Sequence, residues 1–203
     1  VHDLDTGTTT RVSVASDGPQ ADGPSDSPAI SSDGRHVAFR SAASNLVPGD
    51  TNAKGDVFLH DRVTGTTTRV SVASDGTQGI GAAQYPAVSS DGTSVTFSST
   101  AANLVAGDTN STADVFVHDL GNGTTTRVSI ASDGAQANHQ STTSSISAAG
   151  RIVTYQSLGS TLVPGDTNAL NDVFVHDRDT GTTTRVSVGT DGTQASSGAG
   201  GPT

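Results

Sequence analysis

Short apolar runs alternate with longer polar stretches along this chain, and they follow two patterns. In Arg35–Ser41, Val37 and Phe39 fall on one face and the residues between them on the other, the period of two expected of a strand. Asp56–Asp61, with the sequence DVFLHD, is almost continuously apolar, as in a strand covered on both faces. Both patterns predict β-strands.

Two further segments complete the repeating pattern. Pro28–Gly34 is a short extended stretch that ends in an Asp-Gly turn signal. Thr66–Val72 alternates again after a Thr-Gly turn, in which Gly65 suits a positive φ. A polar loop with Gly and Pro separates the second and third segments, so we expect four strands and almost no helix, since strong helix formers other than Ala are scarce.

The order of these segments repeats at a fixed interval. The His-Asp dipeptide recurs every 58 residues, beginning at His2, His60, His118 and His176. A fixed period of this size indicates a repeat array. The length of 203 residues corresponds to about three and a half repeats of 58.

The sequence divides into one continuous repeat domain. Its parts are a half unit with the third and fourth strands and a linker, three whole units, and the start of the next unit: residues 1–27, 28–85, 86–143, 144–201 and 202–203. Four antiparallel strands repeated at a fixed period are typical of β-propeller blades. A β-solenoid is the main alternative, but its coils are usually shorter and lack the hairpin turns that recur here. We therefore predict an all-β, propeller-type array of four-stranded antiparallel blades.

Particular segments resemble a known family. AISSDGRHVAF (Ala29–Phe39) and AVSSDGTSVTF (Ala87–Phe97) resemble the Ser-Pro-Asp-Gly-Arg-Tyr-Val-Ala-Phe signature of the TolB-like, WD-like β-propeller repeat of bacteria. SISAAGRIVTY (Ser145–Tyr155) keeps the pattern without the Asp, and DVFVHDRDTGTTTRVSV (Asp172–Val188) resembles the third and fourth strands. The resemblance covers nearly the whole chain and implies a propeller. It does not imply one function, because propellers host binding, scaffolding and catalysis alike.

Composition narrows the function classes. The net charge is −10, every acidic residue is Asp, and Lys54 is the single Lys, so nucleic-acid binding is not expected. No apolar run approaches the roughly 20 residues that span a membrane. There is no Cys or Met. Together with the many Ser and Thr residues, this fits an extracellular or cell-envelope protein.

The opening half unit lacks the first two strands of a blade. The sequence is a fragment of a longer array, or another chain supplies the missing strands, or it is the ordered part of a longer protein. Unpaired strand edges favour strand addition from a neighbour. We therefore expect a protein partner or self-association through open blade edges, as a homo-oligomer or a filament.

The loop before each third strand carries the motif Gly-Asp-Thr-Asn. It places oxygen-bearing side chains at relative positions 1, 3 and 7, a pattern that suits Ca²⁺, which binds carboxylate and amide oxygens. The candidate metal ligands are Asp50, Asn52, Asp56, Asp108, Asn110, Asp114, Asp166, Asn168 and Asp172.

A turn is the alternative to a calcium site. Relative position 5 is Lys54, Thr112 or Leu170, and no bidentate Glu follows, unlike a complete calcium loop. The alternative places an Asx-turn at Asp50 and Asn52 and lets Asp56 order the start of the third strand.

The His-Asp pairs suggest a structural role more than acid–base chemistry. They recur in every unit, whereas catalysis normally needs one asymmetric constellation. Arg11, Arg69, Arg127 and Arg185 also recur in phase, and each is predicted to pair with an Asp on a neighbouring strand.

The sequence thus predicts a non-enzymatic extracellular β-propeller scaffold with a structural or recognition role and Ca²⁺ as its candidate cofactor. One alternative is a subunit of an extracellular filament assembled by strand or blade exchange. Another is the propeller domain of a larger hydrolase.

Overall fold

The computed structural model describes residues 1–200, and these contain twelve β-strands and no helix that could cross a lipid bilayer. The predicted start of a further unit at 202–203 lies outside the described residues. The strands are β1 (Ser25–Ile30), β2 (His36–Ser41), β3 (Asp56–Asp61), β4 (Thr66–Arg69), β5 (Ala83–Val88), β6 (Ser94–Ser99), β7 (Asp114–Asp119), β8 (Thr124–Arg127), β9 (Ser141–Ile146), β10 (Ile152–Ser157), β11 (Asp172–Asp177) and β12 (Thr182–Arg185).

The strands form three antiparallel sheets of four, each in chain order. The second and third strands of a blade pair over their whole length, from His36 opposite Asp61 to Ser41 opposite Asp56 in the first blade. The fourth strand pairs along the other edge of the third. The prediction of four-stranded antiparallel blades with 58-residue spacing is confirmed.

Each first strand begins before the position that the sequence suggested. β1 starts at Ser25, and its register with β2 shifts between Asp26 and Ala29. Ser27 has a φ of 51°, which marks a β-bulge. Pro28 lies in this bulge, where its missing N–H disrupts the ladder least.

Each fourth strand ends earlier than predicted. β4 stops at Arg69 rather than Val72. Val70 N–H still donates to the Val57 carbonyl at 2.9 Å, but Val57 N–H donates to the Ser71 hydroxyl at 3.2 Å. A side-chain oxygen thus replaces the backbone partner, and the chain is free to leave the sheet.

The hydrophobic core lies largely between blades. Leu59 of β3 packs in one cluster with Phe97 of β6, across the first blade boundary. Val117 of β7 packs in another with Tyr155 of β10, across the second boundary. Because a sheet must bury its apolar face on another element, each blade depends on its neighbour.

Residues 1–27 precede the first blade as a hairpin and a linker. Thr10 N–H donates to the Val1 carbonyl at 2.8 Å, and His2 lies opposite Thr9. The linker covers the first blade, where Ala21 packs against the cluster of Phe39, Ala43, Leu46 and Phe58.

Candidate functional site

The long loop before each third strand folds into a polar cluster. In the first blade the cluster consists of Asp50, Asn52, Asp56, Arg69 and Gln78, held against Ser71. The structure therefore places the three residues predicted from the loop beside one another. It adds Gln78 and Ser71, which come from the chain after β4.

The Asp56 carboxylate is the centre of the cluster. Its residue has no exposed surface. Oδ1 accepts a hydrogen bond from the Ser71 hydroxyl at 2.6 Å. Oδ2 accepts from Gln78 Nε2 at 3.0 Å and from Asn52 Nδ2 at 3.1 Å. A buried carboxylate of this kind is tolerated because several donors replace its water.

Burial nevertheless dominates the protonation equilibrium of this carboxyl. Desolvation raises the pKa of Asp56, and the hydrogen bonds from Ser71 and Gln78 and the charge of Arg69 oppose it. Burial likewise raises the pKa of Asp108, Asp114 and Asp166. Burying these carboxylates costs desolvation energy, so we expect the loss of a hydrogen-bond donor to lower the free energy of unfolding.

Asn52 has its amide nitrogen directed into the cluster. Nδ2 donates to the Gly79 carbonyl at 2.8 Å as well as to Asp56, and both of these groups are acceptors. Oδ1 accepts from Lys54 N–H at 2.8 Å, while Ala53 has a φ of 54°. This is the Asx-turn of the turn alternative. Asp50 instead accepts from Gln78 Nε2, at 2.9 Å.

Most of the hydrogen-bonding groups of this cluster are used within the cluster. The Asn52 oxygen that would bind a calcium ion is used by the turn, and its nitrogen faces the carboxylate. Arg69 Nη1 lies 3.5 Å from Asp50 Oδ1 and 3.8 Å from Asp56 Oδ2, where its positive charge opposes a cation. Within residues 1–200 no three His, Cys, Asp or Glu side chains are grouped to hold a metal.

The second and third blades repeat the cluster. Asp114 accepts from the Ser129 hydroxyl at 2.5 Å and from Asn110 Nδ2 at 2.9 Å. Asp172 accepts from Ser187 at 2.5 Å and from Asn168 at 3.2 Å. The nearby arginines approach Asp108 at 3.4 Å and Asp166 at 3.2 Å. Arg69, Arg127 and Arg185 also lie 3.8, 3.5 and 3.7 Å from the strand residues Asp56, Asp114 and Asp172, so the predicted Arg–Asp pairing occurs in the three blades. Arg11 of the opening half unit instead donates to the side chain of Gln20.

Sequence reasoning missed Ser71 and Gln78. Their signal was available, because Gln recurs at the same 58-residue interval at Gln136 and Gln194. Gln78 lies 22 residues after Asp56, so no local pattern connects them.

The repeated His takes part in a second structure, the inter-blade clasp, formed by His60, Thr67, Ser16 and the Val14 carbonyl. Thr67 Oγ1 donates to Val14 O at 2.5 Å, so the His60 Nδ1 at 2.9 Å must donate to the same hydroxyl. Thr67 N–H donates to Ser16 Oγ at 2.9 Å. The clasp ties the linker of one blade to the fourth strand of the next.

The later boundaries carry the same clasp. Thr125 donates to Val72 O at 2.5 Å and Thr183 to Ile130 O at 2.5 Å, each with its histidine, His118 or His176, beside it. The hydrogen bonds of the clusters and of the clasps thus fasten separate segments of the fold to each other.

The first prediction concerns the cluster. We expect Gln78→Ala to lower the free energy of unfolding by about 1–3 kcal/mol, because two buried carboxylates lose a donor. Urea denaturation measures the change. Gln20→Ala is the matched control: Gln20 holds the same repeat position but has Arg11 as its side-chain partner. Equal losses for both variants would contradict the role of the cluster.

The second prediction concerns pH. Burial lowers the pKa of His60, His118 and His176, so below about pH 6.5 the unfolded chain binds more protons than the folded chain. Stability is therefore full above that pH and falls as the pH is lowered. Melting midpoints between pH 7.5 and 5.5 should fall less for His60→Gln than for the wild type. Val63→Gln, at an exposed position without a titratable side chain, is the control, and its slope should equal the wild-type slope.

Comparison with known proteins supports the fold. No protein-family model and no curated protein matches the sequence. TolB from Acinetobacter baumannii matches with a TM-score of 0.54 and 18% identity, over 91% of this chain and 36% of that chain. A putative TolB from Agrobacterium tumefaciens matches with a TM-score of 0.52 and 16% identity, over 80% of this chain and 48% of that chain.

An enzyme is also among the similar structures. An oligogalacturonate lyase in complex with manganese has a TM-score of 0.55 and 14% identity, over 91% of this chain and 46% of that chain. The chain thus spans less than half the length of each of these proteins. At such identities the likeness concerns the fold alone: the described residues have the fold of a TolB-like β-propeller domain.

Proposed function

We propose that this chain is a non-enzymatic β-propeller scaffold, extracellular or in the cell envelope, with a structural or recognition role. One observation carries the proposal. The same buried Asp cluster recurs in three blades, and in each the central carboxylate accepts hydrogen bonds from an Asn and a Ser side chain of its own blade. A site repeated in this way stiffens every long loop equally, as a rigid platform requires.

Self-association is the second candidate. The boundaries between blades support it, because neighbouring blades are joined by hydrogen bonds such as that from Thr125 Oγ1 to the Val72 carbonyl at 2.5 Å, and the same contacts can join blades of two chains. A chain of such blades joined end to end would be a filament subunit.

A propeller domain of a larger hydrolase is the third candidate. It is supported by the fold likeness to tricorn protease, with a TM-score of 0.52 and 12% identity over 87% of this chain and 15% of that chain. A catalytic domain elsewhere in a longer chain would decide in its favour.

Electron microscopy of the purified chain tests the proposal. We expect compact particles whose dimensions do not change with concentration, because a scaffold presents its loops without associating with further copies. Continuous fibres with a blade-sized repeat would favour the filament instead. Turnover of peptide or oligosaccharide substrates by the same preparation would contradict the non-enzymatic role.

Calcium binding by the loops, predicted from the sequence, and a cluster closed by its own hydrogen bonds are alternatives that a melting experiment distinguishes. A bound ion at 100 times its Kd would raise stability by about 2.7 kcal/mol. Because Asn52 and Arg69 direct donors at the carboxylates, we expect the melting midpoint to be equal in chelator and in calcium. Magnesium at the same ionic strength is the control. A rise specific to calcium would support the ion and contradict the hydrogen-bonded cluster.

A further inference from the structure

The Asp of each His-Asp pair binds an arginine, and in two blades that arginine belongs to the same blade. Arg35 donates to Asp61 through Nε at 3.0 Å and through Nη2 at 2.7 Å. Arg151 makes the same bidentate contact with Asp177, through Nε at 3.0 Å and through Nη2 at 2.6 Å. These two blades satisfy their own carboxylate.

The second blade has Thr93 where the others have arginine, and its carboxylate is satisfied differently. Asp119 accepts two hydrogen bonds from Arg178 of the third blade, one from Nη2 at 2.5 Å and one from Nη1 at 3.2 Å. The side chains are only 19% and 23% exposed, so the pair is partly desolvated. This is a direct ion pair across a blade boundary.

The residue after each His-Asp pair alternates accordingly. Along the chain it is Leu4, Arg62, Leu120 and Arg178. Arg62 has the same pose as Arg178, since its Nη1 donates to the Gly34 carbonyl at 2.6 Å as that of Arg178 does to Gly150 at 2.8 Å. Where a blade pairs its own Asp, as the first does, the next blade carries leucine.

We propose that this alternation specifies blade order: a blade with a self-paired Asp accepts a leucine-bearing neighbour, and a blade with an unpaired Asp accepts an arginine-bearing one. A second arginine beside Asp61 would meet a like charge and an occupied carboxylate. A leucine beside Asp119 would leave this partly buried carboxylate with the Ser94 hydroxyl, 2.7 Å away, but without a charged partner, which is costly. Each wrong combination is thus penalised, which gives specificity.

A double-mutant cycle within the intact chain tests the order rule. We expect Arg178→Leu to lower the melting midpoint by roughly 2–6 °C, because Asp119 loses a bidentate partner. Thr93→Arg should give no gain alone but should restore at least half of that loss when combined with Arg178→Leu. Additive effects of the two substitutions would overturn the rule.

Thr93→Lys in place of Thr93→Arg is the matched control for this cycle. Thr93→Lys adds the same charge at the same position but cannot form two parallel hydrogen bonds. It should restore less than Thr93→Arg does. Equal restoration by Lys would show that general charge, not paired recognition, links the blades, and would overturn the rule.

Discussion

The rest of the blade depends on one buried carboxylate at the start of its third strand. Asp56 has no exposed surface, and its oxygens are satisfied by Ser71, Gln78 and Asn52. Since a buried carboxylate without donors is costly, these segments must come together when the strand is buried. The carboxylate therefore fixes the positions of three segments relative to each other: the long loop, the end of the fourth strand and the linker. The long loop is thereby held against the blade.

The inter-blade clasp also joins distant segments by hydrogen bonds, in this case across a blade boundary. Thr67 uses its hydroxyl and its N–H to hold the linker of the preceding blade, and His60 fixes the direction of the hydroxyl. Apolar packing is non-directional, whereas this contact sets the register between neighbours. Repeat proteins gain much of their stability from contacts between nearest neighbours, so the core between blades and the clasp act together.

Much of the fold was accessible from the sequence, and much of the site was not. The period of 58, the alternation in β2 and the apolar run in β3 predicted blades, because strand patterning is local. The extent of β4 was not predicted, since Ser71 leaves the ladder to bind a carboxylate on another strand. Gln78 was missed for the same reason: it meets Asp56 only after the sheet and linker have formed.

The sequence by itself determined the all-β class, the four strands of each blade, the turns and the repeat, because each follows from residue order over a few positions. It also identified Asp50, Asn52 and Asp56 as neighbours. Only the tertiary structure decided which atoms they present. Asn52 directs nitrogen rather than oxygen at Asp56 because Gly79 and Asp56 are both acceptors, and these lie in segments that the folded blade alone brings together.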